Sequence, residues 1–190
     1  MVRLKRLLAC AFVPLFLTGS AAAHELDENR ATLVLREGGH IAMTIYLSYP
    51  EVLHLAMAPT SSMQEFLIAA SAMPPEQFQE SLRRAEVQLT AGIRLLAADG
   101  KPLPLSNWYW PAPAQAQAQL QHRVMQAIVS PDEHPAEEPL EIYADALANR
   151  QISGVRVAFP AAFQRVLVVA YQPEQAWVEG EELSTPIAFH

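Results

Sequence analysis

From Ile41 to Tyr49 the chain alternates without interruption: Ile41, Met43, Ile45, Leu47 and Tyr49 are apolar or aromatic, with Ala42, Thr44, Tyr46 and Ser48 between them. A period of two sends the two sets to opposite faces, which makes a strand with one face in a core and one in water. Leu33 and Leu35, alternating with Thr32, Val34 and Arg36, repeat the pattern just upstream. Gly38-Gly39 between the two runs supplies the positive φ angles of a tight two-residue turn. The expectation is a β-hairpin in which Glu37 faces His40, so that paired residue numbers sum to 77.

The period changes after Pro59. Ser62-Met63-Gln64-Glu65 has the spacing of a capping box, and Phe66, Leu67 and Ala70 follow at helical intervals. Pro74-Pro75 ends that helix and opens another, with Phe78, Leu82 and Ala85 on one face. Alternation returns in Val87, Leu89, Ala91, Ile93 and Leu95, and Asp99-Gly100 turns the chain toward Leu103-Pro104-Leu105 and Trp108-Tyr109-Trp110. Ala112 to Leu120 is rich in alanine and glutamine and reads as a short helix or a loose connection. Strand-like runs follow at Arg123–Val129, Leu140–Ala146, Val155–Phe159 and Arg165–Tyr171, with a last one at Ala176–Glu179. Pro131, Pro135, Pro139, Pro160 and Pro173 punctuate them against longer helices. These segments predict a mainly β fold: an antiparallel, immunoglobulin-like β-sandwich with a helical pair inserted at about residues 60–86.

At the N-terminus, Arg3, Lys5 and Arg6 precede an apolar run from Leu7 to Leu17, then Thr18-Gly19-Ser20 and three alanines. This is the layout of a secretory signal peptide over residues 1–23, cleaved after Ala22 or Ala23. The run is shorter than the roughly 20 apolar residues of a membrane span, and no membrane-spanning segment is expected elsewhere. A single domain over residues 24–190 follows from the length of the remaining chain. Its one cysteine, Cys10, is removed with the leader, which excludes disulfides and thiol chemistry from the mature chain. The 13 basic residues fall to 10 once Arg3, Lys5 and Arg6 are gone, against 20 acidic ones, a formal charge of −10. A chain so acidic repels nucleic acid, and no basic stripe offsets that field. Export, acidity and the lack of disulfides point to the periplasm.

Cleavage after Ala23 makes His24 the first residue, offering an α-amino group and an imidazole together. In the register that sums to 77, residue 24 faces residue 53. His54 then lies beside His24, with Glu25 and Glu51 close by. Two imidazoles and a terminal amine suit copper(II), and also zinc. The predicted metal residues are therefore His24, His54 and Glu51. His40 sits at the turn, 16 residues from His24, which at about 3.3 Å per residue is tens of ångströms away. His134, in the acidic run from Asp132 to Glu138, reads as part of a solvated connection, and His122 and His190 as surface residues. Trp108 and Trp110 share a face and are expected in the core, with Tyr109 outside. No phosphate-binding glycine loop, Gly-x-Ser-x-Gly elbow, His-Glu-x-x-His helix or Cys-x-x-Cys pair is present, so the chain is read as no enzyme.

The start Ala23-His24-Glu25-Leu26, running into an alternating hairpin, resembles the exported N-terminal domains of the hydrogenase/urease accessory permease family. It also resembles small periplasmic proteins whose mature chains begin with Ala-His. The likeness covers about the first thirty mature residues and implies a metal-associated or accessory role. Two functions are carried forward. The first is a periplasmic copper- or zinc-binding protein, or an accessory protein of metal homeostasis. The alternative is a non-enzymatic interaction module, an accessory subunit that binds another envelope protein.

Overall fold

The computed structural model describes residues 29–129, 139–148 and 151–174. The expected signal peptide at residues 1–23 and the expected strand at Ala176–Glu179 lie outside them. The hairpin forms from β1 (Asn29–Leu35) and β2 (His40–Leu47), antiparallel. Its register differs from the expected one: Leu35 faces Ile41 and Leu33 faces Met43, so paired numbers sum to 76. Three residues, Glu37–Gly39, form the turn, closed by the Arg36 amide donating to the His40 carbonyl at 2.7 Å. Gly39 has φ +79°, and a Cβ there would meet the Ala148 carbonyl oxygen at 2.3 Å. Only glycine satisfies both demands.

β2 ends at Leu47 because Pro50 cannot donate to a ladder but fits a helix's first turn. Tyr49, expected on the strand, instead starts helix α1 (Tyr49–Met57). Helix α2 (Met63–Ser71) opens on the expected capping box. The Glu65 amide donates to Ser62 Oγ at 3.2 Å, and the Ser62 amide donates to Glu65 Oε2 at 2.9 Å. Helix α3 (Pro75–Gly92) runs seven residues past Ala85, through the expected alternation at Val87–Ala91. Phe78, Leu82, Ala85 and Leu89 are all buried at helical spacing, whereas Val87 is exposed. A single stripe of burial wins over an apparent alternation. β3 (Arg94–Ala97) and β4 (Leu105–Tyr109) follow, then α4 (Pro113–Val129). This 17-residue helix absorbs the strand expected at Arg123–Val129. Alanine and glutamine both favour helix, and Ala116, Leu120 and Val124 form its inner stripe. β5 (Leu140–Leu147), β6 (Val155–Ala158) and β7 (Val166–Tyr171) match the last three expected runs among the described residues.

Five strands form one sheet in the order β4-β5-β2-β1-β7, and β3 pairs with β6 in a separate two-stranded sheet. All pairings are antiparallel except β1 with β7. The immunoglobulin-like sandwich is therefore not the fold. Of the described residues 44% are helical and 32% are in strands, a mixed architecture. One face of the large sheet is apolar: Ala31, Leu33, Ile41, Met43, Ile45, Leu47, Ile142 and Ala144 are buried. The layer covering it is made of helices, which contribute Val52, Leu53, Phe66, Phe78, Leu82 and Leu120 to the same buried cluster. A one-sided strand requires a covering layer, and an amphipathic helix satisfies that as well as a second sheet does.

Candidate functional site

The three residues predicted to hold a metal separate in the fold. His24 lies outside the described residues. His54 sits in the last turn of α1, not beside a strand, and is half-buried. Its Nε2–H donates to the Ser61 carbonyl at 2.8 Å, and its ring packs against Phe66 with centroids 5.4 Å apart. Glu51, one turn earlier, accepts from Ser48 Oγ and pairs with Arg123 of α4 at 3.3 Å. Both side chains thus tie α1 to its neighbours. Among the described residues, no three or more His, Cys, Asp and Glu side chains are grouped to hold a metal ion.

The other histidines divide as follows. His40 Nε2 pairs with Asp145 of β5 at 3.3 Å, at the turn end of the sheet. His122 Nε2 is hydrogen-bonded to the Gln126 side-chain amide at 2.6 Å. His134 and His190 lie outside the described residues. One buried polar group was invisible in the sequence. Tyr49 is 1% exposed and its hydroxyl finds no hydrogen-bond partner. Burial, reinforced by the nearby Glu86 carboxylate, raises the Tyr49 hydroxyl above its ordinary pKa. Desolvation also raises Glu86, which is only half-buried on α3.

The face of the large sheet away from the helices is open. Tyr46, Glu141, Tyr143 and Asp145 lie on it, with the Arg30 guanidinium 4.4 Å above the centre of the Tyr46 ring. The two edges of this sheet are unlike. At β4 the register slips between Ser106 and Tyr109, and Asn107 adopts φ +52°. Leu105 faces Ala146 and Ser106 faces Asp145, both summing to 251, while Tyr109 faces Tyr143, summing to 252. Without that extra residue Tyr109 would face Ile142, on the buried side. The bulge therefore turns Tyr109 outward and Trp108 and Trp110 toward the core. The tryptophans are half-buried and stacked with centroids 6.3 Å apart, less enclosed than expected, and Tyr109 is 62% exposed. At the other edge β7 carries no bulge and no charge. Leu167, Val168, Val169 and Tyr171 are each 39–49% exposed, on both faces of the strand.

Two grooves lie among the described residues. One, of 680 Å³, runs between α1, α2 and α3 over Met57, Phe66 and Met73. Its polar rim is occupied: Glu65 belongs to the capping box and Arg84 donates to Ser81 Oγ at 3.2 Å. The other, of 750 Å³, lies between α4 and the neighbouring ends of β4 and β5, with Tyr109 and Tyr143 in its wall. Among the described residues no helix is long and apolar enough to cross a membrane. No protein-family model, curated protein or solved structure matches the chain.

Proposed function

We propose that the protein is an exported, non-enzymatic interaction module, an accessory subunit of an envelope complex, that takes a strand of its partner along β7. The leader-like start from Arg3 to Ala23 supports export. The observation that carries docking is the β7 edge, which no strand among the described residues pairs on its outer side. An unprotected apolar edge invites another strand, and proteins that need no partner there blunt it with charges, bulges or a cover. Among the described residues this sheet applies a bulge at β4 and neither bulge nor charge within β7. An added strand would pair with the outward main-chain groups of β7, and its alternate apolar side chains would cover Leu167, Val169 and Tyr171 on one face. The uncharged run Val166–Tyr171 favours an apolar segment over a charged one.

The test is a photo-crosslinking residue placed at Val168 in cells, with Val87, on the outer face of α3, as control. A discrete adduct with another envelope protein is expected from Val168 and not from Val87. Val169→Lys, which charges the edge, should suppress it by at least tenfold. Equal labelling from both positions, or an adduct only with a second copy of the chain, would overturn the reading.

A further inference from the structure

We propose that the groove between α4 and the ends of β4 and β5 is a binding site for a neutral oligosaccharide, separate from the β7 edge. Its volume of 750 Å³ falls within the roughly 300–1,000 Å³ usual for ligand sites. Two aromatic rings stand in its wall. Tyr109 is 62% and Tyr143 40% exposed, with centroids 6.0 Å apart and planes tilted by 52°. Such rings gain by covering their faces with a flat apolar surface, which the C–H side of a pyranose supplies.

The rest of the lining suits hydroxyls. Gln115, Gln119 and His122 follow one another at four and three residues along α4, so they share one face of the helix. A primary amide both donates and accepts, as a sugar hydroxyl does, and Glu141 opposite adds a carboxylate acceptor. The Gln126 side-chain amide holds the His122 ring in place through a hydrogen bond to its Nε2. None of the described lining residues is lysine or arginine. Phosphates, sulfated chains and nucleic acid therefore find no counter-charge, and the formal charge of −7 repels them further.

The backbone supports the assignment independently. Bulges often re-aim side chains at functional sites, and asparagine is among the few residues that adopt a positive φ readily. Asn107 and the adjoining bulge have one visible result: they put a tyrosine, not a tryptophan, opposite Tyr143 on the open face.

The experiment is a glycan array probed with the purified protein, followed by calorimetric titration of the best-bound saccharide. The array should carry neutral, sulfated and sialylated glycans, and choline should be titrated separately as a small cation. Binding is expected for neutral glycans only. Tyr109→Ala, Tyr143→Ala and Gln115→Ala should each weaken it by at least tenfold, with thermal unfolding unchanged for the exposed Gln115 variant. Val169→Lys should leave it intact, which separates this site from the β7 reading. No neutral glycan bound, affinity insensitive to Tyr109→Ala and Gln115→Ala, or preference for anionic glycans or choline would each overturn the proposal.

Discussion

Replacing His54 by alanine separates a structural histidine from a metal-binding one. The side chain makes two contacts that alanine removes. The Nε2–H bond to the Ser61 carbonyl, 2.8 Å and partly buried, is worth about 0.5–1.5 kcal/mol net. The ring contact with Phe66, centroids 5.4 Å apart at 40°, adds about 0.5–1.5 kcal/mol. Together they predict a loss of about 2 kcal/mol, or roughly 4–8 °C in Tm for a chain of this size. The contacts join α1 to α2 and to the segment entering it, so the loss falls within the helical layer. His54→Gln places an amide N–H near the position of Nε2 and should recover about 1 kcal/mol by restoring the bond without the ring. Urea unfolding of the three proteins, with calorimetric titration of copper(II) and zinc on each, reads both properties. The expected result is a graded stability, parent above His54→Gln above His54→Ala, with metal affinity the same within twofold. A His54→Ala protein as stable as the parent, with metal affinity reduced tenfold or more, would refute the structural assignment. It would restore the site built on His24.

Two further outcomes follow from single side chains. Glu86→Gln should stabilise the protein at pH 7. Desolvation raises the Glu86 pKa in the folded state, so its favourable contribution is present below the unfolded pKa of about 4.3 and is lost as pH rises through the folded value. Unfolding curves of parent and variant should therefore converge near pH 4 and separate toward pH 7; a constant gap would contradict this. Ser62→Ala should cost about 1 kcal/mol by removing the N-cap of α2. It should also weaken the acid sensitivity that Glu65 contributes, because the Ser62 backbone and hydroxyl bonds hold its carboxyl below the usual range. That stabilisation is present above the unfolded pKa and disappears as pH falls through the folded one, so parent and variant should approach each other in acid.

How far the sequence discloses this fold depends on whether a pattern is local. The capping box is legible because Ser62 and Glu65 satisfy each other within four residues. The first hairpin is legible because alternation and two glycines coincide. The C-terminal end of α3 and the second half of α4, Arg123–Val129, read as strands because a helical stripe happens to include an alternating stretch. In Arg123–Val129 the apparent strand face, Met125 and Val129, is exposed, and the residues that matter are Ala116, Leu120 and Val124. The layer covering the sheet could not be read from the strands at all. Their burial demands an apolar neighbour but does not say whether it is a sheet or a helix. The parallel pairing of β1 with β7 joins residues more than 130 apart in the chain, and nothing local marks it.

The register is the instructive failure, because the sequence itself contradicts it. Residues facing each other across an antiparallel pair point to the same side of the sheet. The core-facing residues of the first strand are odd-numbered, Leu33 and Leu35, and so are those of the second, Ile41, Met43, Ile45 and Leu47. Paired numbers must then be both odd or both even, and their sum must be even. A sum of 77 would set Leu33 against Thr44 and put a buried leucine beside an outward threonine. The two-residue turn that Gly38-Gly39 suggests is incompatible with the faces of the strands it connects. A three-residue turn, Glu37–Gly39, restores them with the observed sum of 76. The same parity removes the argument that placed His54 beside His24, since it rested on residue 24 facing residue 53. Pro50 removes it a second time by ending the strand at Leu47 before either position is reached. The bulge at β4 is the opposite case. There an odd count is inserted deliberately within the sheet, and its effect is to move Tyr109 from the buried side to the groove it shares with Tyr143. An inserted residue at a turn preserves which face is buried; an inserted residue within a strand changes what the protein presents to a ligand.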